Sequence, residues 1–517
     1  METEEPGRPK KVDVVRDISF GQRVAEEERQ DLAGYFVETE HWRRVWAGDV
    51  DVVFAPKGGG KSAIYSMLVS RDGELFDRGV FLAAAENPTG APAFQEVRLS
   101  PPTTEAEFVG LWKLYFLALT AQTLHVDYDL RGESIARLVE ALRDAGLLAG
   151  DMAKRRVVQR AMDYVKRYFN PNSVEGGVTL DPATGAPTGI TTRITFDEPT
   201  PAQAAAGSLF IDDLYGLADA ALADAGYDLW LVLDRLDVAF ADSQELEENA
   251  LRALFRVYRD MQALDHMSLK IFLRSDIWKA ITTGGFREAS HITRELTIDW
   301  NEGTLLRLVL QRLVRSQVLR TYYDVDAESV LASVAEQQAL FDRVFPEQVD
   351  LGARKPKTFD WCLSRTRDGQ GVTAPRELIH LMSAARDKQL RRFEIGEPPP
   401  PGEPVFDRQA LRDAVPEVSE VRLTKTIYAE YPGVRNYLER LEGQKTHHNA
   451  ASLAAVWQED EPSARGIADR LVEIGYFERR GNRQDSTYWV PFMYRPVLKM
   501  VQGSAEGVAP TPDDDAP

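Results

Sequence analysis

Cysteine is almost missing from this chain: Cys362 is the single thiol in 517 residues. That excludes a disulfide framework and any cysteine-rich metal site, and it fits a reducing cytosol. No apolar run approaches the ~18 residues needed to cross a bilayer, so a cytoplasmic protein without a membrane partner is expected. The opening residues, Met1-Glu2-Thr3-Glu4-Glu5-Pro6, are acidic and polar, unlike a secretory signal. Internal repeats at solenoid periods are absent. Positive charge is in deficit too. The net charge is −19, so the whole chain is no general polyanion binder, and any nucleic-acid contact must be a local basic patch. What is present is 44% apolar residues, ample for packed cores. The length suits roughly three domains at ~150 residues each.

The chemistry concentrates in Val52-Val53-Phe54-Ala55-Pro56-Lys57-Gly58-Gly59-Gly60-Lys61-Ser62-Ala63-Ile64-Tyr65. An apolar run reading as a buried strand is followed by a glycine-rich turn, and Lys-Ser then opens an amphipathic helix. This is the P-loop layout. Glycines let successive backbone N–H groups point inward without Cβ clashes, forming an anion cradle at a helix N-terminus. Pro56 to Ala63 would hold the nucleotide, with Lys61 reaching the β- and γ-phosphates and the Ser62 hydroxyl on Mg²⁺. The pattern asks for glycine at the first position, where Ala55 stands. ATP with Mg²⁺ is therefore the expected ligand pair.

Leu231-Val232-Leu233-Asp234-Arg235-Leu236-Asp237 supplies a second half-site. Asp234, at the end of an apolar strand, has the Walker B position and would hold Mg²⁺ through water and Ser62. Arg235 occupies the place where related ATPases put a water-polarising glutamate, and Asp237 is the next carboxylate that can take that task. A further strand, Leu269 to Arg274, ends in Arg274-Ser275-Asp276. Ser275 or Arg274 is placed to sense the γ-phosphate; a strand-end salt bridge is the plain alternative. Arg287 lies just before the fifth strand (292–298), where an arginine finger would act in trans within a homo-oligomer, and Arg294 is the alternative. Arg376 follows Pro375 in the first turn of a helix, where the helix dipole disfavours a cation. It either reaches back to the phosphates or pairs at the surface. Trp42 and Trp46 lie one turn apart, suited to core packing more than to stacking on adenine.

The expected organisation is a flexible N-terminus (1–17), an ATPase core (18–302) with an exposed β-hairpin insertion (170–208), a helical lid (303–393), a proline-rich linker (394–406), a winged-helix domain (407–502) and a disordered acidic tail (503–517). In the core, strands are expected at 52–54, 94–99, 229–234, 269–274 and 292–298, separated by helices, as a wound α/β sheet requires. The C-terminal domain reads as helices over 419–442, 447–458 and 462–475, followed by a hairpin with a Gly481-Asn482 turn. Residues 463–500 carry Arg465, Arg470, Arg479, Arg480, Arg483, Arg495 and Lys499 against Asp469, Glu473, Glu478 and Asp485. A wing bearing Arg479, Arg480 and Arg483 can contact DNA phosphates, although winged helices also dock proteins.

This constellation resembles the P-loop ATPases of the AAA+ and STAND (signal-transduction NTPase) group. Origin-recognition ATPases share its ordering of P-loop, Walker B, sensor strand, Pro-Arg lid helix and winged helix. Asp234-Arg235-Leu236-Asp237 is similar to the Asp-Gly-Leu-Asp run of one STAND branch. Lys57 to Ile64 and Arg274 to Asp276 look like the P-loop and sensor strand of a bacterial ATPase group. The resemblance spans roughly residues 18 to 500. It implies an α/β sheet of strand order 5-1-4-3-2, a helical lid and a winged helix. It also implies an ATP-hydrolysing switch or motor working with DNA or with a companion effector protein, plausibly in phage defence or a stress response. A nucleotide-holding scaffold that scarcely turns over is the alternative. A small-molecule kinase is disfavoured, because neither an arginine-rich phosphate clamp near the core nor an acceptor pocket is evident.

Overall fold

The computed structural model describes residues 9–22, 31–86, 94, 101–102, 104–149, 153–169, 194–205, 207–236, 244–283, 285–482 and 485–508. They form two compact units, Glu38–Pro56 with Gly60–Ile298, and Met1–Val37 with Lys57–Gly59 and Asp299–Pro517.

The first unit is built on five parallel strands: β1 (Val52–Ala55), β2 (Val80–Ala84), β3 (Asp228–Leu233), β4 (Met267–Arg274) and β5 (Glu295–Thr297). Their spatial order is β2-β3-β4-β1-β5, which is 5-1-4-3-2 read from the other edge, as expected. Val53 pairs with Phe272 and Leu296, and Leu231 with Ala83 and Leu269. β1 and Leu229–Leu233 of β3 are continuous apolar runs, and Met267–Leu273 of β4 is one but for Ser268 and Lys270, because helices cover both faces of a parallel sheet. Those helices include α1 (Glu40–Ala47), α2 (Lys61–Ser70), α3 (Glu105–Gln122) and α4 (Ser275–Thr283). α3 is buried on nearly every side and packs through Trp112, Tyr115 and Phe116 into the main core. The one lysine in its middle, Lys113, is balanced by Asp212 at 2.9 Å and Asp260 at 3.0 Å.

Two expectations for this unit change. The second strand is Val80–Ala84, not 94–99; Phe94 is a buried turn residue against Trp112, and 95–99 lie outside the described residues. Ala83, Ala84 and Ala85 are weak strand formers, which hides β2 from a propensity reading. Residues 133–169 form two helices, Glu133–Asp144 and Lys154–Phe169, with Gly146 at φ +75° between them. Most of the expected hairpin insertion, 170–193, lies outside the described residues. Its end, Ile194–Thr195, pairs in parallel with Leu209–Phe210 rather than closing a hairpin there.

The second unit carries the helical lid and the winged helix. The lid packs around Leu306, Leu310, Phe341, Leu378 and Leu381, with the thiol of Cys362 fully buried among them and its pKa pushed up by that burial. Its last helix is α5 (Pro375–Glu394), followed by α6 (Arg408–Arg422). The winged helix contains α7 (Ala450–Trp457), α8 (Glu461–Glu473) and a four-stranded sheet. The strands are β6 (Lys445–Asn449), β7 (Glu478–Arg480), β8 (Thr487–Trp489) and β9 (Val501–Ser504), in the order β9-β6-β8-β7.

Here too the boundaries move. The N-terminus is not flexible throughout, because Lys11–Asp17 is a helix with Val14 and Val15 fully buried. Its Lys11 ammonium donates to the carbonyls of Pro400, Gly402 and Pro404. Residues 447–449 are strand, not helix, since Asn449 caps α7 and His447 pairs with Trp489 across the sheet. The tail expected to be disordered from 503 still belongs to β9 through Ser504, and Ala505 N–H bonds the His447 carbonyl. Among the described residues no helix is long and apolar enough to cross a membrane.

Candidate nucleotide site

In the first unit, β1 ends at Ala55 and α2 begins at Lys61, so the glycine-rich residues fill the turn between them. Gly60 is the N-cap of α2 at φ +96°, a conformation that costs an L-residue roughly 1–2 kcal/mol. Its carbonyl accepts from Ala63 and Ile64 at 3.0 and 3.2 Å. Those bonds leave the N–H groups of Lys61 and Ser62 at the helix mouth, where an anion is favoured.

Lys61 reaches across to Asp234 and forms an ion pair with Oδ1. Asp234 stands just past the C-terminal end of β3 and is 1% exposed. Apart from the Lys61 ammonium, neither of its carboxylate oxygens finds a hydrogen-bond partner among the described residues. A buried carboxylate in that state fits a divalent cation, with Ser62, half-buried at the start of α2, as the hydroxyl ligand.

The next residue, Arg235, is in the left-handed region at φ +61°. That conformation is free for glycine and strained for an arginine. Asp237 lies outside the described residues.

At the end of β4 the two sensor candidates separate. Arg274 is clamped by Asp276, Nε to Oδ1 at 3.0 Å and Nη2 to Oδ2 at 2.6 Å. Burial opposes ionisation of Asp276, yet this clamp holds its carboxyl below the usual range. Ser275 instead has a buried Oγ that meets no hydrogen-bond partner among the described residues. It follows the last residue of β4, which lies between β1 and β3.

The two arginine-finger candidates also differ. Arg287 is exposed in a short 3-10 turn, Arg287–His291. Arg294 is engaged at the N-terminal end of β5, with Nε 3.2 Å from Asp51 and its guanidinium on the Gly48 carbonyl. Trp42 and Trp46 stack at 5.2 Å under Arg71 and Arg78, in line with packing rather than adenine binding.

Within the second unit, Lys57, Gly58 and Gly59 have their own partners. Lys57 forms an ion pair with Glu430, and the Gly59 carbonyl accepts from the Trp300 indole at 2.8 Å. Gly58 is at φ +77°, and a Cβ built there lies 3.1 Å from the Arg376 Cβ and 3.4 Å from Glu377 Oε2. The first turn of α5 thus abuts Gly58, and the Arg376 Nε is buried without a hydrogen-bond partner among the described residues. Glu377 turns to Arg422, at 2.9 Å.

The wing arginines are occupied inside the fold. Arg479 pairs with Asp469, and Arg480 with Glu478 at 2.8 Å while lying over Trp489. Arg483 lies outside the described residues.

The chain is similar to two solved structures. One is the ORC2 protein of Aeropyrum pernix in ADPNP-ADP complexes, with a TM-score of 0.41 and 12% identity, covering 96% of this chain and 95% of that one. The other is the ORC1 protein of the same organism in complex with DNA, with a TM-score of 0.28 and 12% identity, covering 71% and 91%. No family model matches the chain, and no curated protein does.

Proposed function

We propose that this protein binds ATP with Mg²⁺ at the P-loop and hydrolyses it as a nucleotide-controlled switch. The observation that carries the reading is the Lys61–Asp234 pair at the C-terminal edge of a 5-1-4-3-2 sheet. Its two members are the proposed phosphate-binding cation and metal-binding carboxylate, paired with each other at the end of β3. When bound, Mg²⁺ supplies charge neutralisation on the β- and γ-phosphate oxygens. Lys61 then turns to the phosphates, Asp234 and Ser62 hold the cation, and the glycine-turn N–H groups orient the polyphosphate. Ser275 reports on the γ-phosphate by hydrogen bonding. Arg376 adds charge beside the glycine turn, and Arg287 is the exposed candidate for action in trans. Asp237 remains the sequence-based candidate for polarising water.

A double-stranded DNA or a companion protein is the proposed partner of the winged helix. The engagement of Arg479 and Arg480 within the fold favours the protein. The nucleotide-holding scaffold remains the second reading, favoured by Arg235 at the place of a catalytic glutamate.

The test is phosphate release from ATP by purified protein, with and without double-stranded DNA, beside Lys61→Ala. Turnover that vanishes in Lys61→Ala supports the switch, and stimulation by DNA identifies the partner. Tight ATP binding without turnover selects the scaffold. No ATP binding refutes both.

A further inference from the structure

β2 ends in a carboxylate that none of the roles above uses. After Val80–Ala84 and Ala85 comes Glu86, 0% exposed. The parallel register pairs Ala83 with Leu231 and Ala84 with Val232, and Ala85 N–H bonds the Val232 carbonyl at 2.8 Å. Continued by two residues, that register sets Glu86 beside Asp234.

Phe81, Ala83 and Ala85, with Leu229, Leu231 and Leu233, point into the core around α3. Alternation along β3 sends Asp234 the other way, toward the face where Tyr65 of α2 packs on Phe272 of β4. Burial raises the pKa of Tyr115 on α3, and Glu86, two residues past the end of β2, lies close enough to raise it further.

α2 ties both positions down. Lys61 pairs with Asp234, and one turn later the Tyr65 hydroxyl donates to the Glu86 carbonyl at 2.8 Å. The Tyr115 hydroxyl of α3 donates to the Ala85 carbonyl next door. The end of β2 is therefore fixed from two helices, one of which starts in the P-loop. Such rigid support suits a group that must hold a reacting atom in place.

We propose that Glu86 is the carboxylate that accepts the proton of the attacking water, taking the place that Arg235 leaves without an acid. This rests on the hydrolase reading above. The water oxygen forms the new bond to the γ-phosphorus while the bond to the β,γ-bridging oxygen breaks. The electron pair leaves with ADP, and the water proton passes to the Glu86 carboxylate and on to solvent. ATP and water give ADP, inorganic phosphate and a proton.

The competing account is a buried partner for Lys154, whose pKa burial lowers and Glu86 raises. Three proteins separate the two: wild type, Glu86→Gln and Glu86→Asp. Each is measured for phosphate release with Mg·ATP, affinity for a non-hydrolysable ATP analogue, and melting temperature. Glu86→Gln should lose turnover by on the order of 100-fold. It should keep analogue affinity within about threefold or gain some, because one negative charge near the polyphosphate is gone. Glu86→Asp, which keeps the charge and so guards against a folding failure, should lose at least about tenfold.

Turnover retained in Glu86→Gln overturns the assignment. So does a loss that follows falling affinity and melting temperature in both Glu86 variants, since that is what a buried partner of Lys154 predicts. Wild type that binds the analogue but releases no phosphate overturns this inference and leaves nucleotide binding standing. Wild type that binds no nucleotide overturns the functional reading itself.

Discussion

Replacing the P-loop lysine should damage the protein before any nucleotide is added. Lys61 is 12% exposed at its side chain and Asp234 1%, so Lys61→Met strands a buried carboxylate. Two unit charges at 4 Å interact by about 4 kcal/mol at an effective dielectric of 20. Removing one partner of a buried pair costs about 3–5 kcal/mol. Lys61 opens toward the mouth of the loop, where water can approach the stranded oxygen, so the lower figure of about 3 kcal/mol applies. At roughly 2–4 °C per kcal/mol, the melting temperature of the nucleotide-free protein should fall by roughly 6–12 °C. Asp234→Asn in the same background removes the stranded charge and should restore most of the loss. The cycle of four proteins, followed by calorimetry without nucleotide, should give a coupling energy of about 2 kcal/mol. Because the pair is buried, raising salt from 0.05 to 0.5 M, roughly a threefold drop in Debye length, should barely change that coupling. Lys61→Met that melts within about 2 °C of wild type, or a double variant less stable than the single, would refute the reasoning. The result also sets how Lys61→Ala is used as a catalytic control: turnover must be compared well below its own melting temperature.

Arg235→Gly should stabilise the protein by about 1 kcal/mol, because φ +61° is a strained conformation for arginine and a free one for glycine; an unchanged or lower melting temperature counts against that. Gly58→Ala should do the reverse, losing about 1–2 kcal/mol together with ATP-analogue affinity, since its φ of +77° is strained and its Cβ meets Arg376 at 3.1 Å. Arg422→Met should cost about 3–5 kcal/mol by leaving Glu377 and Asp368 buried without their cation, read by chemical denaturation. His448 sits inside the winged helix, bonded to Ser452 Oγ and the Lys445 carbonyl, with burial, aided by neighbouring His447, pulling its pKa down to about 4 despite the Lys445 bond. Its folded pKa lies below its unfolded one, so its contribution is present in full above pH ~6.5 and lost as pH falls toward 4. Denaturation at stepped pH values, with His448→Gln flattening the slope in that window, checks the sign.

The P-loop and the Walker B strand were legible because their signals are local: an apolar run, then chemistry at fixed spacing. Val52–Ala55, Leu229–Leu233 and Leu269–Leu273 are strands on any reading, and the structure places them centrally. β2 was not legible, for Val80-Phe81-Leu82-Ala83-Ala84 ends in alanines and owes its strand state to Asp228–Val232 alongside. Yet Val80–Ala85 followed by Glu86 repeats the pattern of Leu231–Leu233 followed by Asp234, a signal that was available. Burial patterns cannot show which arginine is already spoken for. Arg274, Arg479 and Arg480 carry the right charge in the right segments, but Asp276, Asp469 and Glu478 hold them. Those partners lie two to ten residues away, and only the folded backbone aims them.

The second unit gives the glycine turn a mechanical connection that a passive scaffold does not need. Glu377 lies with one oxygen at the Gly58 turn and the other on Arg422, the last residue of α6. Arg422 continues to Asp368 at 3.7 Å, and burial, which by itself would lower the Arg422 pKa, is outweighed by Glu377, Tyr494 and Asp368. Lys57 makes a second link, to Glu430, a few residues beyond α6. Close-packed, buried ion pairs do not stretch; they hold one arrangement or exchange partners. In the proposed site a polyphosphate would compete with Glu430 for Lys57 and add negative charge beside Glu377. Both effects would weaken contacts that tie Lys57 and Gly58 to α5 and to the segment leading into the winged helix. That shared use of Lys57 and Gly58 is the physical reason to propose a switch over a store of bound nucleotide.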